Sequence, residues 1–535
     1  MIIGGKEFIN MKIKINFFAV IVNVLLFTAY AQEKPNILMI VLDDLNDYVG
    51  VLGGHPQALT PNIDKLASEG VLFTNAHANV PVCQPSRASF MTGISPLRSR
   101  MWGFDNWLKN KLLAKATTLP EFLKQKGYLD MQSGKVFHSS KKGAWSILGV
   151  KKDYGPIPYN GKKAVPHPLS PLGMRELGSL DATYTSLANI PVVLPSNDAP
   201  GAEGWFSGDW KKSKFRYIND NDRDLMTDEK STIWAKKQLE LMQKKNNKQP
   251  FFMAIGLHRP HTPLVVPQKY FDLFPIEDIQ LPDLMDNDNM DTYLEDNNLK
   301  QNGKSRGRKA YDGLLSGYES KEIALKNYLQ AYLASVAFAD DRVGELMNAL
   351  NDSDFKENTV VILFSDHGYN LGEKEYLWKY VLWEETTRVP LIIKAPKYRL
   401  SAGKKVGHPV SLIDIFPTIV SLSGNNVEEL SIDGKKQLDG YSLEPFLKKP
   451  NTKKWDGPEN IFTVIASWRS KKPGEQHISV RGKRYRYIRY SNGREELYDH
   501  NVDSNEWNNL ASNNKFKQVK SKFSKILDSK LDKLK

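Results

Sequence analysis

Three apolar runs constrain the fold of this chain more tightly than any other feature. Asn36-Ile-Leu-Met-Ile-Val-Leu42, Phe251-Phe-Met-Ala-Ile-Gly-Leu257 and Thr359-Val-Val-Ile-Leu-Phe364 are continuous, with no alternation of polar residues. A strand that is apolar on both faces must be covered on both faces, which is the condition of a parallel sheet packed between helices. Each run ends in polar residues: Asp43-Asp44, His258, and Ser365-Asp366-His367. Ligand sites of open α/β sheets lie at the carboxyl ends of the strands. If the three runs are parallel neighbours, these groups converge.

Helical patterns alternate with the strands. Thr60 to Gly70 is short and amphipathic, with Thr60 as N-cap and Pro61 at the first helical position. Thr227 with Asp228 starts a helix to about Lys244, and Leu325 to Leu350 reads as a long helix with apolar spacings of three and four. The alternation predicts an α/β fold, a mostly parallel sheet sandwiched by helices. Asp283 to Asp296 is acidic and Lys300 to Lys309 basic, with few apolar residues, and reads as an exposed insertion or lid. The last hundred residues differ. Ile461 to Trp468, His477 to Arg481 and Tyr485 to Tyr490 read as antiparallel strands, with a turn at Gly482-Lys483. Phe516, Val519, Phe523, Ile526, Leu527, Leu531 and Leu534 mark an amphipathic terminal helix. The expected organisation is a leader at 1–31, a large domain at 32–450 and a smaller α+β subdomain, antiparallel sheet plus helix, at 451–535.

The leader has the form of a signal peptide. From Met11, Lys12 and Lys14 precede an apolar stretch, Ile15 to Thr28, and Ala29-Tyr30-Ala31 is a small-x-small cleavage site. Met1 and Met11 are both candidate starts. The apolar stretch is short for a membrane span, so the expected product is exported, periplasmic or secreted, with no span after cleavage. The chain carries a formal charge of +13; three lysines and one glutamate leave with the leader, which brings it to +11. A basic surface suits a polyanion by long-range steering, and for an exported protein an acidic polysaccharide is a better partner than nucleic acid.

The 535 residues contain one cysteine, in Cys83-Gln84-Pro85-Ser86-Arg87. A lone cysteine closes no internal disulfide. A small buried hydrophobe would explain the thiol but not its neighbours, since x-Pro-Ser-Arg follows a given cysteine on the order of once in several thousand cases. The pentapeptide resembles the signature of type I sulfatases, in which a separate maturating enzyme, either the formylglycine-generating or the anaerobic type, oxidises the cysteine to Cα-formylglycine. Gly134-Lys135-Val-Phe-His138, Gly256-Leu-His258-Arg-Pro260-His261-Thr-Pro263, Asp366-His-Gly-Tyr-Asn-Leu-Gly372 and Leu377-Trp-Lys379-Tyr380 extend the resemblance, toward the iduronate-2-sulfatase branch. It covers nearly all of residues 34–511, including Val410 to Ile419, Leu438 to Ser442 and Glu496 to Asp499, which look structural.

The resemblance implies an alkaline-phosphatase-like domain with a C-terminal subdomain, and roles for named residues. Hydrated formylglycine at Cys83 attacks sulfur, with Arg87 one helical turn away to orient it. Asp43, Asp44, Asp366, His367 and the position-83 oxygen hold a divalent cation. Hard carboxylates favour Ca²⁺, with Mg²⁺ as the alternative; His367 stands where many sulfatases have Asn. Lys135, Lys379, His258 and His261 bind substrate. His138 contacts the second hydroxyl and later expels sulfate, and His258 protonates the leaving oxygen. The expected substrate is a sulfated uronate or related sugar of a polysaccharide such as ulvan or a glycosaminoglycan, or of its oligosaccharides. The alternatives are a phosphonate or phosphate monoester hydrolase of the same superfamily, and a polysaccharide-binding protein without activity.

Overall fold

A computed structural model describes residues 34–208, 213–294, 304–468 and 470–534. The leader reading at 1–31 lies outside the described residues. The three apolar runs are strands β1 (Asn36–Asp43), β5 (Phe251–Pro260) and β6 (Thr359–Ser365), every residue of them buried. They are parallel neighbours with β1 in the middle: Val41 lies opposite Gly256 on one side and Phe364 on the other. This register brings the polar ends level.

The described residues build one eight-stranded sheet around this core. On the β5 side follow β3 (Leu129–Gly134) and β4 (Ile147–Leu148), both parallel. On the β6 side β7 (Leu391–Lys394) runs antiparallel, and β2 (Val71–Phe73) and β8 (Lys404–Val406) complete the order β8-β2-β7-β6-β1-β5-β3-β4. Alternate β1 side chains enter two separate apolar layers, Leu38, Ile40 and Leu42 in one and Ile37, Met39 and Val41 in the other. That division explains why the runs show no polar alternation.

Helices cover both faces. The helix predicted at 60–70 is α1 (Pro61–Glu69). Thr60 stands at its N-cap position, but its hydroxyl donates to Asp64 Oδ1 and accepts from the Gly50 N–H instead of capping. The helix α2 (Cys83–Thr92) is buried along its whole length. The helix α3 (Thr227–Lys244) has its predicted bounds. The long helix α5 (Lys321–Asn351) starts four residues earlier than predicted, where the Ser320 hydroxyl accepts from the Ile323 N–H.

The described residues of the acidic and basic segments are mostly exposed or half-buried, and a few anchors tie them to the domain. Asp288 is buried and pairs with Lys374 Nζ at 2.6 Å, and α4 (Arg306–Leu315) buries Tyr311 and Leu314. Salt bridges and a few apolar anchors compensate for the low apolar content; residues 295–303 between them lie outside the described residues.

At the C-terminal end, β9 (Ile461–Ile465), β10 (His477–Arg481), β11 (Tyr485–Arg489) and β12 (Glu495–Asp499) form an antiparallel meander. The predicted terminal helix, α6 (Lys517–Asp532), buries Phe523 and Leu527 with Val464, Val480 and Tyr487 of this sheet.

Candidate active site

The site forms where β1, β5 and β6 end. Asp43 closes β1, and Asp44 follows with φ 66°, a left-handed turn that Asp tolerates better than most residues. Ligand atoms of Asp43, Asp44, Cys83 and His367, all buried, lie within 4.8 Å of one another. Cys83 is the first residue of α2, where its own N–H and that of Gln84 precede the first helical hydrogen bond, made by Ser86 N–H to Val82 O. Its Sγ lies 3.3 Å from His367 Nε2 and 3.5 Å from Lys379 Nζ.

Three cations interleave with three carboxylates. Lys379 Nζ donates to both oxygens of Asp44 at 2.6 and 2.9 Å. Lys135 Nζ pairs with Asp43, and its charge sits 4.8 Å from the centre of the Tyr154 ring. Arg87 was expected to orient the group at position 83. Its Nε donates to Asp366 Oδ2 at 2.7 Å, Nη1 donates to the carbonyls of Lys135 and Val136, and Nη2 lies 3.5 Å from Asp43 Oδ1. Asp366 Oδ1 accepts from the Asp44 N–H at 3.3 Å and lies 3.6 Å from His367 Nε2, beside the four-residue cluster.

Burial and charge set the protonation states. Burial alone would raise Asp43, but Lys135, His261 and Arg87 hold it well below the usual carboxylate range. Burial lifts Asp44 to about 7, with Lys379 and His367 opposing. Burial pushes the Cys83 thiol up, so as a thiol it is a poor nucleophile. Burial works against the charge on Lys135 and Lys379, but Asp43 and Asp44 respectively keep both firmly cationic.

The two histidines of the β5 end differ. The carboxylate of Asp228, the second residue of α3, accepts from the backbone N–H groups of His258 and Arg259 at 2.8 and 3.0 Å and lies 3.1 Å from His258 Nδ1. His258 Nε2 is buried with no hydrogen-bond partner among the described residues. His261 Nδ1 donates to the Thr262 carbonyl at 2.5 Å, and Nε2 lies 3.9 Å from Asp44 Oδ2. Burial and nearby Lys379 depress its basicity strongly. Tyr154 packs on both rings, at 5.3 and 4.9 Å. His138 follows Lys135 by one turn of chain; burial, Lys135 and Lys152 bring it down to about 3. The structure thus brings together every predicted site residue around this sheet edge. Sequence reading missed Asp228, taken for a helix-start residue, and Tyr154. Glu229 in fact caps α3, accepting from the Met226 N–H at 2.7 Å, which leaves Asp228 to β5.

The donor set fits a divalent cation. Asp43 Oδ1 is buried with no hydrogen-bond partner among the described residues, and carboxylate oxygens are hard ligands. Without such an ion three carboxylates balance three cations; with it the site gains two positive charges to meet an anionic substrate.

A mostly parallel sheet whose carboxyl edge carries fixed cations and hard oxygen donors around a helix-initial cysteine suits the binding of an anionic ester. Residues 35–425 match the family described as Sulfatase, and residues 372–533 match N-sulphoglucosamine sulphohydrolase, C-terminal. A protein named sulfatase from Formosa agariphila is 35% identical over 91% of this chain and 84% of its own length. Mouse iduronate 2-sulfatase is 28% identical over 86% of this chain and 84% of its own. Among solved structures, the phosphonate monoester hydrolase of Agrobacterium radiobacter shares the fold, with a TM-score of 0.67, 22% identity and coverage of 94% of this chain and 96% of that one. The chain belongs to the sulfatase family and is a sulfuric ester hydrolase.

Proposed function

We propose that the protein is an exported sulfatase that removes sulfate from sulfated uronates, or related sugars, of a polysaccharide such as ulvan or a glycosaminoglycan, using formylglycine at position 83 and Ca²⁺. One observation carries the reading: the lone cysteine of a Cys-x-Pro-Ser-Arg sequence begins a buried helix within a cluster of Asp43, Asp44 and His367 ligand atoms. The substrate class follows from similarity to iduronate 2-sulfatase over most of the chain. Export follows from the leader pattern; no helix among the described residues is long and apolar enough to cross a membrane.

Asp43, Asp44, His367 and the oxygen at position 83 would hold the cation, with Asp366 beside them. A bound cation would supply Lewis acidity toward the anionic ester, and a hydroxyl of hydrated formylglycine at position 83 would be the nucleophile toward sulfur. The remaining work falls to side chains. Lys135 and Lys379, buried and permanently charged, stabilise charge on the sulfuryl oxygens as it shifts in the transition state. Arg87 fixes Asp43 and Asp366 relative to Cys83. Asp228 is held ionised, despite burial, by His258 and Arg259, and it orients His258 so that Nε2 faces the leaving oxygen. His138 is neutral, as a proton acceptor must be. His261 donates from Nδ1 to a carbonyl, so its Nε2 accepts from a sugar hydroxyl rather than donating to sulfate.

Peptide mass spectrometry of position 83 in native enzyme, with sulfate release from defined ulvan and glycosaminoglycan oligosaccharides, tests the reading. The aldehyde in place of the thiol and release from 2-O-sulfated uronate are expected. An unmodified thiol in fully working native enzyme overturns the mechanism, and preference for phenylphosphonate over 4-nitrophenyl sulfate overturns the sulfatase assignment to sugars.

A further inference from the structure

A groove of about 1190 Å³ lies apart from the residues just described. One wall is α6, and the other is formed by residues near Ser411, Asp414 and Tyr441, with Ile461 and Phe462 between them. The helix divides its surface between two environments. Phe523 and Leu527 face the antiparallel sheet, while Lys517, Lys522, Lys525, Lys530 and Lys533 line the groove.

These lysines, four on α6 and Lys533 just past its end, differ from the one other lysine of the helix. Lys520 on the same helix pairs with Glu495 at 2.9 Å, whereas none of the five makes a salt bridge among the described residues. Four are exposed, and Lys530 is partly buried, its Nζ 5.6 Å from the Phe462 ring centre. Of the two acidic residues in the lining, Asp439 is already paired with Arg98 at 2.7 Å, and burial raises Asp414 to about 7. From Lys517 to Lys533 the row spans roughly 24 Å at about 1.5 Å per residue, far longer than one sugar ring or inorganic ion. Tyr441, more than a third exposed, adds an aromatic face to the opposite wall, with Lys436 Nζ 5.7 Å from its ring centre.

We infer that this groove is a second, non-catalytic binding site for the sulfated polysaccharide chain. Unpaired cations in a row match an anion that repeats along a polymer, and polar side chains between them, such as Asn79, Gln518 and Asn460, match sugar hydroxyls. Holding the polymer here raises the effective concentration of its sulfated sugars at the active site without adding a contact there. The inference rests on the substrate being a sulfated polysaccharide, as proposed above.

The test compares the full-length mature protein with Lys522→Glu/Lys525→Glu/Lys533→Glu and with Lys236→Glu/Lys237→Glu/Lys244→Glu, which makes the same charge change at exposed positions of α3. Affinity electrophoresis through heparin or ulvan gels, with unsulfated dextran as blank, reads binding. Hydrolysis of 4-nitrophenyl sulfate reads the active site. The groove variant should bind sulfated glycan on the order of tenfold more weakly, with a raised KM on polymer and unchanged kcat on the nitrophenyl ester, while the α3 variant stays near wild type. Equal loss in both variants, or loss in neither, overturns the inference. So does groove-dependent binding to phosphatidylglycerol vesicles without binding to the glycans. Groove-dependent glycan binding by a protein that releases no sulfate from any ester supports the groove and refutes the proposed function instead.

Discussion

Position 83 concentrates the chemistry in one side chain. Burial makes its thiol less acidic, and the groups that crowd it, Lys379 at 3.5 Å and His367 at 3.3 Å, are suited to an oxygen ligand near a cation. Cys83→Ser should therefore leave the unfolding midpoint within a degree or two, as expected for a near-isosteric change, while turnover falls below detection. A tenth of normal activity from the serine variant would contradict the nucleophile assignment. Asp228 offers a subtler test. Among the described residues its carboxylate hydrogen-bonds to His258 and to the backbone of the β5 end, so it acts by positioning the imidazole. Asp228→Asn should lower kcat on sugar sulfates by about 10²-fold, the lower end for a general acid. It should leave 4-nitrophenyl sulfate nearly unaffected, because nitrophenolate departs without a proton. Equal losses on the two substrates would reduce Asp228 to a structural role.

At the scale of elements, close backbone approach delivers Lys135 to the site. The β3 strand ends at Gly134 with φ +74°, and a Cβ there would lie 2.0 Å from the Gly256 carbonyl oxygen of β5. Lys135 N–H donates to that same carbonyl at 2.9 Å. Gly134→Ala must both strain the backbone and push β3 from β5, so a loss of about 2 kcal/mol or more is expected in denaturant titrations, with KM raised by displacement of the Lys135 ammonium. The same elements show how much could be read from sequence. The three central strands were legible because burial on both faces leaves an unbroken apolar run. The strands β2 and β7, three and four residues long, are too short for any pattern to stand out. The carboxylates, histidines and lysines of the site were legible as strand-end or motif residues. Asp228 was not, because its partner lies 30 residues away and its position beside a helix start offers a simpler explanation. Nor could sequence show that Trp378 and Tyr380, on either side of Lys379, adopt φ of 110° and 72°. Such strain persists only where tertiary contacts impose it, and it gathers at functional sites.

At the scale of the whole molecule, two kinds of buried carboxylate pull stability in opposite directions with pH. Glu384 and Glu506 bind Arg481, Arg486 and His500, tying the C-terminal sheet to the segment that follows Lys379. Burial would raise both, but the arginines and His500 hold them below the usual range. Their contribution is present at neutral pH and fades as acid titrates them. Arg486→Leu leaves those carboxylates buried and short of a partner, and should cost about 3–5 kcal/mol. Asp414 works the other way. It accepts N–H groups of Ser411 and Tyr441 at 2.9 and 2.8 Å, yet burial without a cationic partner lifts it from 3.8 to about 7. Between those values the folded protein holds a proton that the unfolded chain has lost, so stability conferred by this group is full in acid and declines as pH rises toward 7. Unfolding free energy measured by denaturant titration from pH 4 to 8 should therefore fall on the neutral side of its maximum. In Asp414→Asn, which cannot ionise, that fall should shrink while the acid limb set by Glu384 and Glu506 stays. An unchanged neutral limb in the asparagine variant would assign the decline to other groups and leave Asp414 ionised in the native state.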